Sequence, residues 1–149
     1  MIRFVHGSIF DSKVQTLVAP VNCVGVMGKG LALKFRQRWP SMFSTYRLAC
    51  RSGLVQVGKP FIYYGPDRTI ICFPTKDDWR NDSKYEYIEA GLIALKKNYK
   101  EWKITSIAMP AIGCGLGGLE WDKVRTMIDR YLGDATIDIE VYEPTLVGV

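Results

Sequence analysis

Glycine is concentrated in the stretch Gly113–Gly118, where it occupies four of six positions. The apolar run Ile104–Met109 before it is typical of a buried strand, and a helical pattern begins at Leu119 after it. Glycines between a strand and a helix leave main-chain N–H groups open, and the start of the helix adds partial positive charge. This second glycine loop, Gly113–Gly118, therefore predicts a phosphate-binding site, with a tight structural turn as the alternative.

The second glycine loop also contains a motif whose usual fold does not suit this chain. Gly113, Gly115 and Gly118 satisfy G-x-G-x-x-G, and Asp138 follows Gly118 by twenty positions. That motif belongs to the first strand–helix turn of a βαβαβ unit. Only 31 residues follow Gly118, which is enough for one helix and one strand. We therefore keep the phosphate prediction and reject a dinucleotide-binding fold.

A first glycine loop, Gly25–Gly30, also lies between an apolar run and a helical pattern. It is not a P-loop, because that motif would need glycine where Cys23 stands and Ser or Thr where Gly30 stands. Two glycine loops after two buried strands could flank one ligand in an α/β crevice. A diphosphate between two sugars would suit such a pair.

Two polar side chains follow apolar strands near these loops. Asn22 ends the strand Gln15–Val21, and its amide can both donate and accept hydrogen bonds, as ribose hydroxyls require. The alternative for Asn22 is a cap of the local turn. Lys76 follows the apolar run Ile70–Phe73 and is a candidate nucleophile or base. The alternative for Lys76 is an ordinary solvated lysine.

Aromatic and basic residues are mixed after Lys76: Trp79, Arg80, Lys84, Tyr85 and Tyr87. This mixture suits stacking on exposed nucleic-acid bases, and core packing of the aromatic side chains is the alternative. His6 is the only histidine, which excludes mechanisms that need two imidazoles. The four cysteines form no C-x-x-C pair, which argues against structural zinc. We expect no metal and no other cofactor.

The elements that must position these residues alternate along the chain in the order β-β-α-α-β-β-α-β-α-β. This order predicts an α/β fold, a three-layer α/β/α sandwich that forms a single domain over residues 1–149. In detail we expect a strand in Arg3–Phe10, a helix capped by Ser41, and a capping box in Ser83–Glu86. Ile88, Gly91, Leu92, Leu95 and Tyr99 share one helical face.

Composition places the chain among ordinary globular proteins, with 48% hydrophobic and 23% charged residues. The net charge of +5 favours an anionic partner, and ordinary solubility charge is the alternative. No long apolar segment or signal peptide is visible, so we expect a cytoplasmic protein without a membrane contact. In that compartment, free and mostly buried cysteine thiols are expected.

The segments Val18–Ala32 and Pro110–Trp121 resemble the two ligand loops of macrodomains. Phe73–Lys76, with Trp79 and Arg80, is similar to one branch of that superfamily. This branch holds the DarG-type DNA ADP-ribosyl glycohydrolases and the terminal ADP-ribose protein glycohydrolase. The resemblance covers nearly the whole chain and implies a mixed, roughly six-stranded sheet between helices, with ADP-ribose bound in a cleft.

The resemblance also implies roles for single residues. Lys76 would be catalytic and act at the anomeric carbon of the distal ribose, through attack or ring opening, while Asn22 would hold that ribose. The other expected contacts run from the adenine to the diphosphate. The expected ligand-binding residues are Ser8, Ile9, Asn22, Gly28, Lys29, Gly30, Leu31, Pro110, Ile112, Gly113, Cys114, Gly115 and Leu116. The expected nucleic-acid contacts are Trp79, Arg80 and Lys84.

Two positions depart from the family pattern. Ser8 stands where macrodomains usually carry an aspartate that contacts the adenine amine, so Ser8 or Asp11 would have to replace it. Gly117 stands where the protein-directed enzyme has an acidic residue, which makes the DNA-directed antitoxins the better match.

The resemblance thus predicts a glycohydrolase that removes mono-ADP-ribose from a macromolecule, with ADP-ribosylated DNA bases as the first candidate substrate. The alternatives are a non-catalytic ADP-ribose reader and a hydrolase of ADP-ribosylated protein carboxylates or small ADP-ribose esters. The expected partners are the ADP-ribose group, ADP-ribosylated single-stranded DNA and a cognate ADP-ribosyltransferase toxin. The protein itself is expected to be a monomer.

Overall fold

The structure, a computed structural model, describes residues 1–144. Six strands and four α-helices follow one another in this part of the chain in the expected order. The strands are β1 Ile2–Val5, β2 Thr16–Val21, β3 Phe61–Tyr64, β4 Thr69–Pro74, β5 Ser106–Met109 and β6 Asp138–Tyr142. The helices are α1 Gly30–Arg38, α2 Pro40–Arg51, α3 Tyr85–Asn98 and α4 Trp121–Leu132, with a short 3-10 helix at Ile9–Asp11.

The six strands form one mixed sheet in the order β1-β6-β5-β2-β4-β3. Five of them run parallel, and β3 pairs antiparallel with β4 at one edge. The parallel strands therefore end at a common edge of the sheet. In open α/β sheets, ligands bind in the crevice outside this carboxyl edge.

Both faces of the sheet are covered, because the apolar residues of the central strands point alternately to the two sides. In β2, Leu17 and Ala19 pack in the core under α1 and α2, whereas Val18 packs in the core under α3 and α4. In β4, Cys72 and Phe73 divide in the same way between the two cores. The predicted three-layer α/β/α sandwich with a six-stranded mixed sheet is thus confirmed.

The prediction of one strand over Arg3–Phe10 is wrong in its second half. The strand ends at Val5, and Gly7 has a φ of 118°, a value that L side chains rarely adopt. Ser8 then caps the short 3-10 helix, where its side chain accepts a hydrogen bond from the Phe10 N–H at 3.3 Å. This turn brings Gly7–Phe10 to the carboxyl edge of the sheet.

Two predicted helix caps are also wrong. Helix α2 begins one residue before Ser41, with Pro40 in its first turn and Trp39 at the N-cap. The capping box in Ser83–Glu86 does not form, because α3 begins at Tyr85 and Lys84 occupies the N-cap without a side-chain bond. The main-chain N–H of Ser83 donates instead to the Gly117 carbonyl at 3.1 Å. Ser83 therefore contacts the second glycine loop and does not form the capping box at the start of α3.

The four cysteines are free, as expected, but only Cys72 is fully buried. Cys23, Cys50 and Cys114 are half-buried, which corrects the expectation of mostly buried thiols. None of the helices within residues 1–144 has the length and apolar character needed to cross a membrane. The cytoplasmic location and the monomeric state stay predictions.

Candidate functional site

A cleft of about 980 Å³ lies along the carboxyl edge of the sheet. Each of the five parallel strands contributes the segment that follows it. In the spatial order β1, β6, β5, β2 and β4, the lining lies within Gly7–Phe10, Tyr142–Pro144, Pro110–Gly117, Pro20–Lys34 and Thr75–Trp79. Four gaps between neighbouring strands span about 19 Å, because strands lie about 4.8 Å apart. The cleft therefore suits a long, narrow ligand.

The first glycine loop is shaped by the side chain of Asn22. The Oδ1 atom of Asn22 accepts hydrogen bonds from the N–H groups of Val24, Gly25 and Val26 at 3.1–3.2 Å. Its Nδ2 atom donates to the Val26 carbonyl at 2.7 Å, and the Tyr46 hydroxyl donates to the main-chain carbonyl of Asn22 at 2.7 Å and lies 3.0 Å from Oδ1. Asn22 therefore caps the local turn, which was the alternative to ribose binding for this residue. The N–H groups without an acceptor in the described residues lie further on, from Met27 to Lys29 and at the start of α1.

The second glycine loop follows β5 and presents open main-chain donors to the cleft. Within residues 1–144, no acceptor is found for the N–H groups of Gly115, Leu116 and Gly117, all of which line the cleft. The loop is closed at its base by the Leu119 N–H, which donates to the Gly113 carbonyl at 2.9 Å. Consecutive open N–H groups in a glycine-rich turn form a concave site for anions.

The two glycine loops approach each other across the cleft. A Cβ atom at Gly30 would lie 3.3 Å from Cδ1 of Leu116, a close contact that the exposed Leu116 side chain could relieve by a small shift. Gly30 also has a φ of 57°, which glycine adopts without strain. The Leu116 side chain is 66% exposed and lies between the two glycine loops. An anion between the loops would meet open N–H groups from both sides.

Lys76 lies at the β4 end of the cleft, beside both loops. Its position follows from strand register, since β2 and β4 pair in parallel up to Val21 and Pro74. The N–H of Thr75 continues the ladder with a bond to the Val21 carbonyl at 2.9 Å. The Lys76 amine donates to the Leu116 carbonyl of the second glycine loop at 3.3 Å. The amine is therefore held within the cleft.

No side chain fits at position 117 in this loop conformation. A Cβ atom on Gly117 would overlap the carbonyl oxygen of Gly113 and the hydroxyl of Ser83. Ser83 is buried, and its hydroxyl has no hydrogen-bond partner in the described part of the chain. An acidic residue could enter position 117 only if the second glycine loop moved. With the loop in this conformation, position 117 therefore accepts only glycine.

The β1 end of the cleft carries one acidic side chain, and it is neither of the two expected residues. Ser8 lines the cleft but caps the 3-10 helix, and Asp11 is absent from the lining. Glu143, just after β6, lines the cleft instead. Its carboxylate pairs with the Arg125 guanidinium and lies 3.2 Å from Nε2 of His6.

Trp79 lies next to Lys76 at the other end of the cleft, and 47% of its surface is exposed. The Arg80 guanidinium sits 5.3 Å from the centre of the Trp79 ring and forms an ion pair with Asp78 at 2.8 Å. The hydrogen bond from Arg80 lowers the pKa of Asp78 to about 2. Trp79 therefore offers a flat surface at the reactive end, but its basic neighbour is already neutralised.

Few titratable groups in the cleft could perform chemistry. They are Lys29, Lys34, Lys76, Cys114, Tyr142 and Glu143. Burial raises the pKa of the Cys114 thiol to about 11, which keeps the sulfur protonated and unreactive at neutral pH. Within residues 1–144, no three His, Cys, Asp or Glu side chains are grouped to hold a metal ion. Lys76 is the titratable group that lies next to the second glycine loop at the β4 end.

Most of the site residues predicted from the sequence line this cleft. Lys76, Trp79 and all expected ligand-binding residues except Ile112 line it. Ile112 is fully buried in the core, and Arg80 and Lys84 lie outside the lining. Contact of the lining residues with a ligand stays a prediction. The additional lining residues that sequence reasoning missed include Lys34, Thr75, Tyr142 and Glu143.

Comparison with known proteins points to one family. The Macro domain family model matches residues 18–128. The chain is 44% identical to a DNA ADP-ribosyl glycohydrolase of Thermus aquaticus, over 97% of this chain and 41% of that protein. It thus spans less than half the length of that curated relative.

Solved structures agree with this assignment. The macrodomain of Thermus aquaticus DarG superposes with a TM-score of 0.92 at 44% identity, covering 97% of this chain and 99% of that one. Thermosipho africanus DarTG, solved in complex with ADP-ribose, gives a TM-score of 0.92 at 39% identity and covers 96% of this chain and 41% of that one. With the fold, the family model and these neighbours in agreement, the chain belongs to the macro domain family.

Proposed function

We propose that this chain binds ADP-ribose and removes it, as a mono-ADP-ribosyl group, from a modified macromolecule, with ADP-ribosylated DNA bases as the preferred substrate. The observation that carries the proposal is the position of the Lys76 amine, 3.3 Å from the Leu116 carbonyl in the second glycine loop. An amine in this position can reach a sugar attached to a diphosphate bound by the loop. Two relatives, a DNA ADP-ribosyl glycohydrolase and a DarTG protein solved with ADP-ribose, support the same ligand.

The order of segments along the cleft matches the order of groups in ADP-ribose. The adenine would lie at the β1 and β6 end, near Ser8 and Glu143. The diphosphate would lie between the two glycine loops, where open N–H groups and the start of α1 favour an anion. The distal ribose would then lie beside Lys76, with its anomeric carbon towards the open end of the cleft at Trp79.

In the proposed reaction, the neutral amine of Lys76 attacks the anomeric carbon of the distal ribose. A carbon–nitrogen bond forms to the lysine as the bond from the anomeric carbon to the base breaks, and the base takes up a proton. Water then hydrolyses the lysine–sugar adduct, which returns the free amine and releases ADP-ribose. Electrostatic assistance by a charged Lys76 is the competing role, and it needs no adduct.

Two features of the cleft favour a base over a protein carboxylate as the group that leaves. The steric closure at Gly117 excludes the acidic residue that the resemblance associates with the protein-directed enzyme. Trp79 provides an exposed aromatic surface next to Lys76, and such surfaces stack on unpaired bases. A cognate ADP-ribosyltransferase as a partner is part of the same proposal.

The test presents the protein with ADP-ribosylated single-stranded DNA and with a protein ADP-ribosylated on glutamate, side by side. We expect faster release of ADP-ribose from the DNA. Lys76→Ala should abolish release, by at least about a thousandfold, the scale of losing a covalent nucleophile. Its control is Lys97→Ala, which changes an exposed lysine on α3 that does not line the cleft and should turn over as wild type.

A second variant separates the two roles of the lysine. Lys76→Arg keeps the positive charge but removes an amine that can lose its proton and attack. Strong residual release by Lys76→Arg would favour electrostatic assistance, and loss equal to that of Lys76→Ala would favour attack. Unchanged release by Lys76→Ala would end the proposal, and ADP-ribose binding without any release would leave the reader function.

A further inference from the structure

The positive charge of this protein is confined to one part of the chain. Between Ser12 and Pro66 there are eight Lys and Arg residues and no Asp or Glu. The rest of the chain holds 12 basic and 15 acidic residues, so it is slightly acidic by itself. The whole net charge of +5 therefore arises from the acid-free segment.

Six of these eight basic residues lie on or beside the two helices of one layer. We call the surface they form the α1–α2 face. Its residues are Lys29, Lys34, Arg36, Arg38, Arg47 and Arg51. All six are exposed, and none forms an ion pair with an acidic side chain within residues 1–144.

The opposite layer is different. Helices α3 and α4 carry basic and acidic residues together, and several of their charges are paired, as in Lys96 with Asp134 and Lys123 with Glu120. The contrast shows that the α1–α2 face is not the average surface of this protein. A surface of one sign creates a field that attracts anions.

Helix stability explains only part of the α1–α2 face. Basic residues in the last turns of α1 and α2, such as Arg36, Arg38 and Arg51, are favourable to the helix dipoles. Lys29 at the N-cap of α1 is unfavourable by the same reasoning, and α1 has no acidic residue in its first turn. A cost to the helix at its N-terminus indicates that the charge there serves a ligand.

The α1–α2 face is continuous with the cleft. Lys29 and Lys34 belong to both, since each is exposed and lines the cleft. The Arg38 guanidinium lies 4.4 Å from the ring centre of Phe10, another lining residue. The Arg36 guanidinium lies 4.3 Å from the ring centre of Phe43 on α2, so aromatic rings hold both arginines at the surface.

The region expected to contact nucleic acid lacks this excess of charge. Residues 76–84 contain Lys76, Arg80 and Lys84, but also Asp77, Asp78 and Asp82. Arg80 is paired with Asp78, as described above. Trp79 can stack on a base there, whereas the attraction of a phosphate backbone must come from elsewhere on the molecule.

We infer that the α1–α2 face binds the sugar–phosphate backbone of a single-stranded nucleic acid, while the modified base lies at the open end of the cleft. This inference adds to the proposed function the surface that binds the substrate strand. Only the placement of the modified base rests on the proposed function. A backbone of regularly spaced phosphates complements a surface of unpaired Lys and Arg residues. An exposed single strand also leaves its bases free for Trp79.

The experiment measures binding of an unmodified, fluorescein-labelled oligothymidylate by fluorescence anisotropy over a range of salt concentrations. Arg36→Glu/Arg51→Glu reverses two charges that do not line the cleft. The control, Lys97→Glu/Lys100→Glu, makes the same charge change with exposed residues at the end of α3. Titration of ADP-ribose should give the wild-type affinity for both variants and so shows that each is folded.

We expect the α1–α2 face variant to bind the oligonucleotide about tenfold more weakly at low salt, and the control to bind as wild type. The slope of log affinity against log salt should shrink by about 1.4, since each lost phosphate contact in a single strand contributes about 0.7. If the glutamate variant fails to bind ADP-ribose, Arg36→Gln/Arg51→Gln replaces it, with a smaller expected loss in the same direction.

Three results would overturn the inference. They are no binding of oligothymidylate by wild type at low salt, an equal loss in the two double variants, and binding of polyglutamate at least as tight as that of oligothymidylate. The last result would assign the α1–α2 face to an acidic protein. Because the oligonucleotide carries no ADP-ribose, its binding does not depend on turnover, and failure of the proposed reaction would be seen separately.

Discussion

The two glycine loops line the same cleft, but different forces hold them in shape. The first loop depends on one side chain, since the Asn22 amide binds three consecutive N–H groups and one carbonyl. The second loop depends on the absence of side chains, because Gly117 lies against the Gly113 carbonyl and the Ser83 hydroxyl. Both loops have open main-chain N–H groups for a ligand, but at different positions within the loop.

The difference shows which part of each loop can serve an anion. In the first loop, the N–H groups of Val24, Gly25 and Val26 are used internally, whereas no acceptor is found within residues 1–144 for the N–H groups of Met27, Gly28 and Lys29, just before α1. In the second loop, the open donors belong to the loop itself, at Gly115, Leu116 and Gly117. We therefore expect the diphosphate to be bound by the second half of the first loop and by the middle of the second loop.

The largest effect is expected from a methyl group at Gly117. Gly117→Ala should lower the free energy of unfolding by about 3 kcal/mol, the upper range for overpacking, because a Cβ atom overlaps the Gly113 carbonyl. ADP-ribose binding should fall with it. Gly115→Ala is the matched control, since a Cβ atom there meets nothing within 4 Å. Urea unfolding should leave Gly115→Ala at wild-type stability, and equal losses in the two variants would refute the steric explanation.

Two cysteines, Cys23 just before the first loop and Cys114 within the second loop, are expected to be protected from alkylation. Burial, with help from Cys50 and Asp77, raises the pKa of Cys23 to about 11, and burial raises the pKa of Cys114 to about 11. Only the thiolate reacts, so at pH 8 both should be alkylated by iodoacetamide about 100-fold more slowly than in urea. The ordinary thiol pKa is 9.0. The raised pKa values therefore contribute fully to the free energy of unfolding below pH 9, and this contribution is lost as the pH rises towards 11. Rapid alkylation of either native thiol at pH 8 would contradict the burial.

A smaller loss of stability is expected in the first loop. Asn22→Ala should lower the free energy of unfolding by about 2 kcal/mol, because three N–H groups in a partly buried turn lose their acceptor. Tyr46→Phe removes only the donor to Asn22 and should cost about 1 kcal/mol. Urea unfolding measures both. If Tyr46→Phe cost more than Asn22→Ala, the amide would not be the residue that organises the loop.

Much of the fold could be predicted because it depends on local patterns. Alternating apolar residues and helical stripes identified the order of all ten elements, and Ile88, Leu92 and Leu95 are buried as the periodicity of α3 predicts. The failed capping box at Ser83 shows the limit. Its hydrogen bond to Gly117 joins elements distant in sequence, and such a contact leaves no periodic signal.

The parts of the site that contain a glycine-rich motif could be predicted from the sequence. The parts that depend on strand pairing between distant segments could not. Lys76 and both glycine loops could be nominated from composition and resemblance. Glu143 could not, because it enters the cleft only through the parallel pairing of β6 with β1. The α1–α2 face did leave a sequence signal, the acid-free stretch from Ser12 to Pro66, but the total charge of the chain conceals it.

The most direct test of the central claim is a calorimetric titration of ADP-ribose, with AMP as the comparison ligand. If both glycine loops bind one diphosphate, ADP-ribose should bind one to one with an affinity in the micromolar range, about −8 kcal/mol. AMP, which cannot span the two loops, should bind at least about tenfold more weakly. No heat with ADP-ribose, or equal affinities for the two ligands, would contradict a shared diphosphate site.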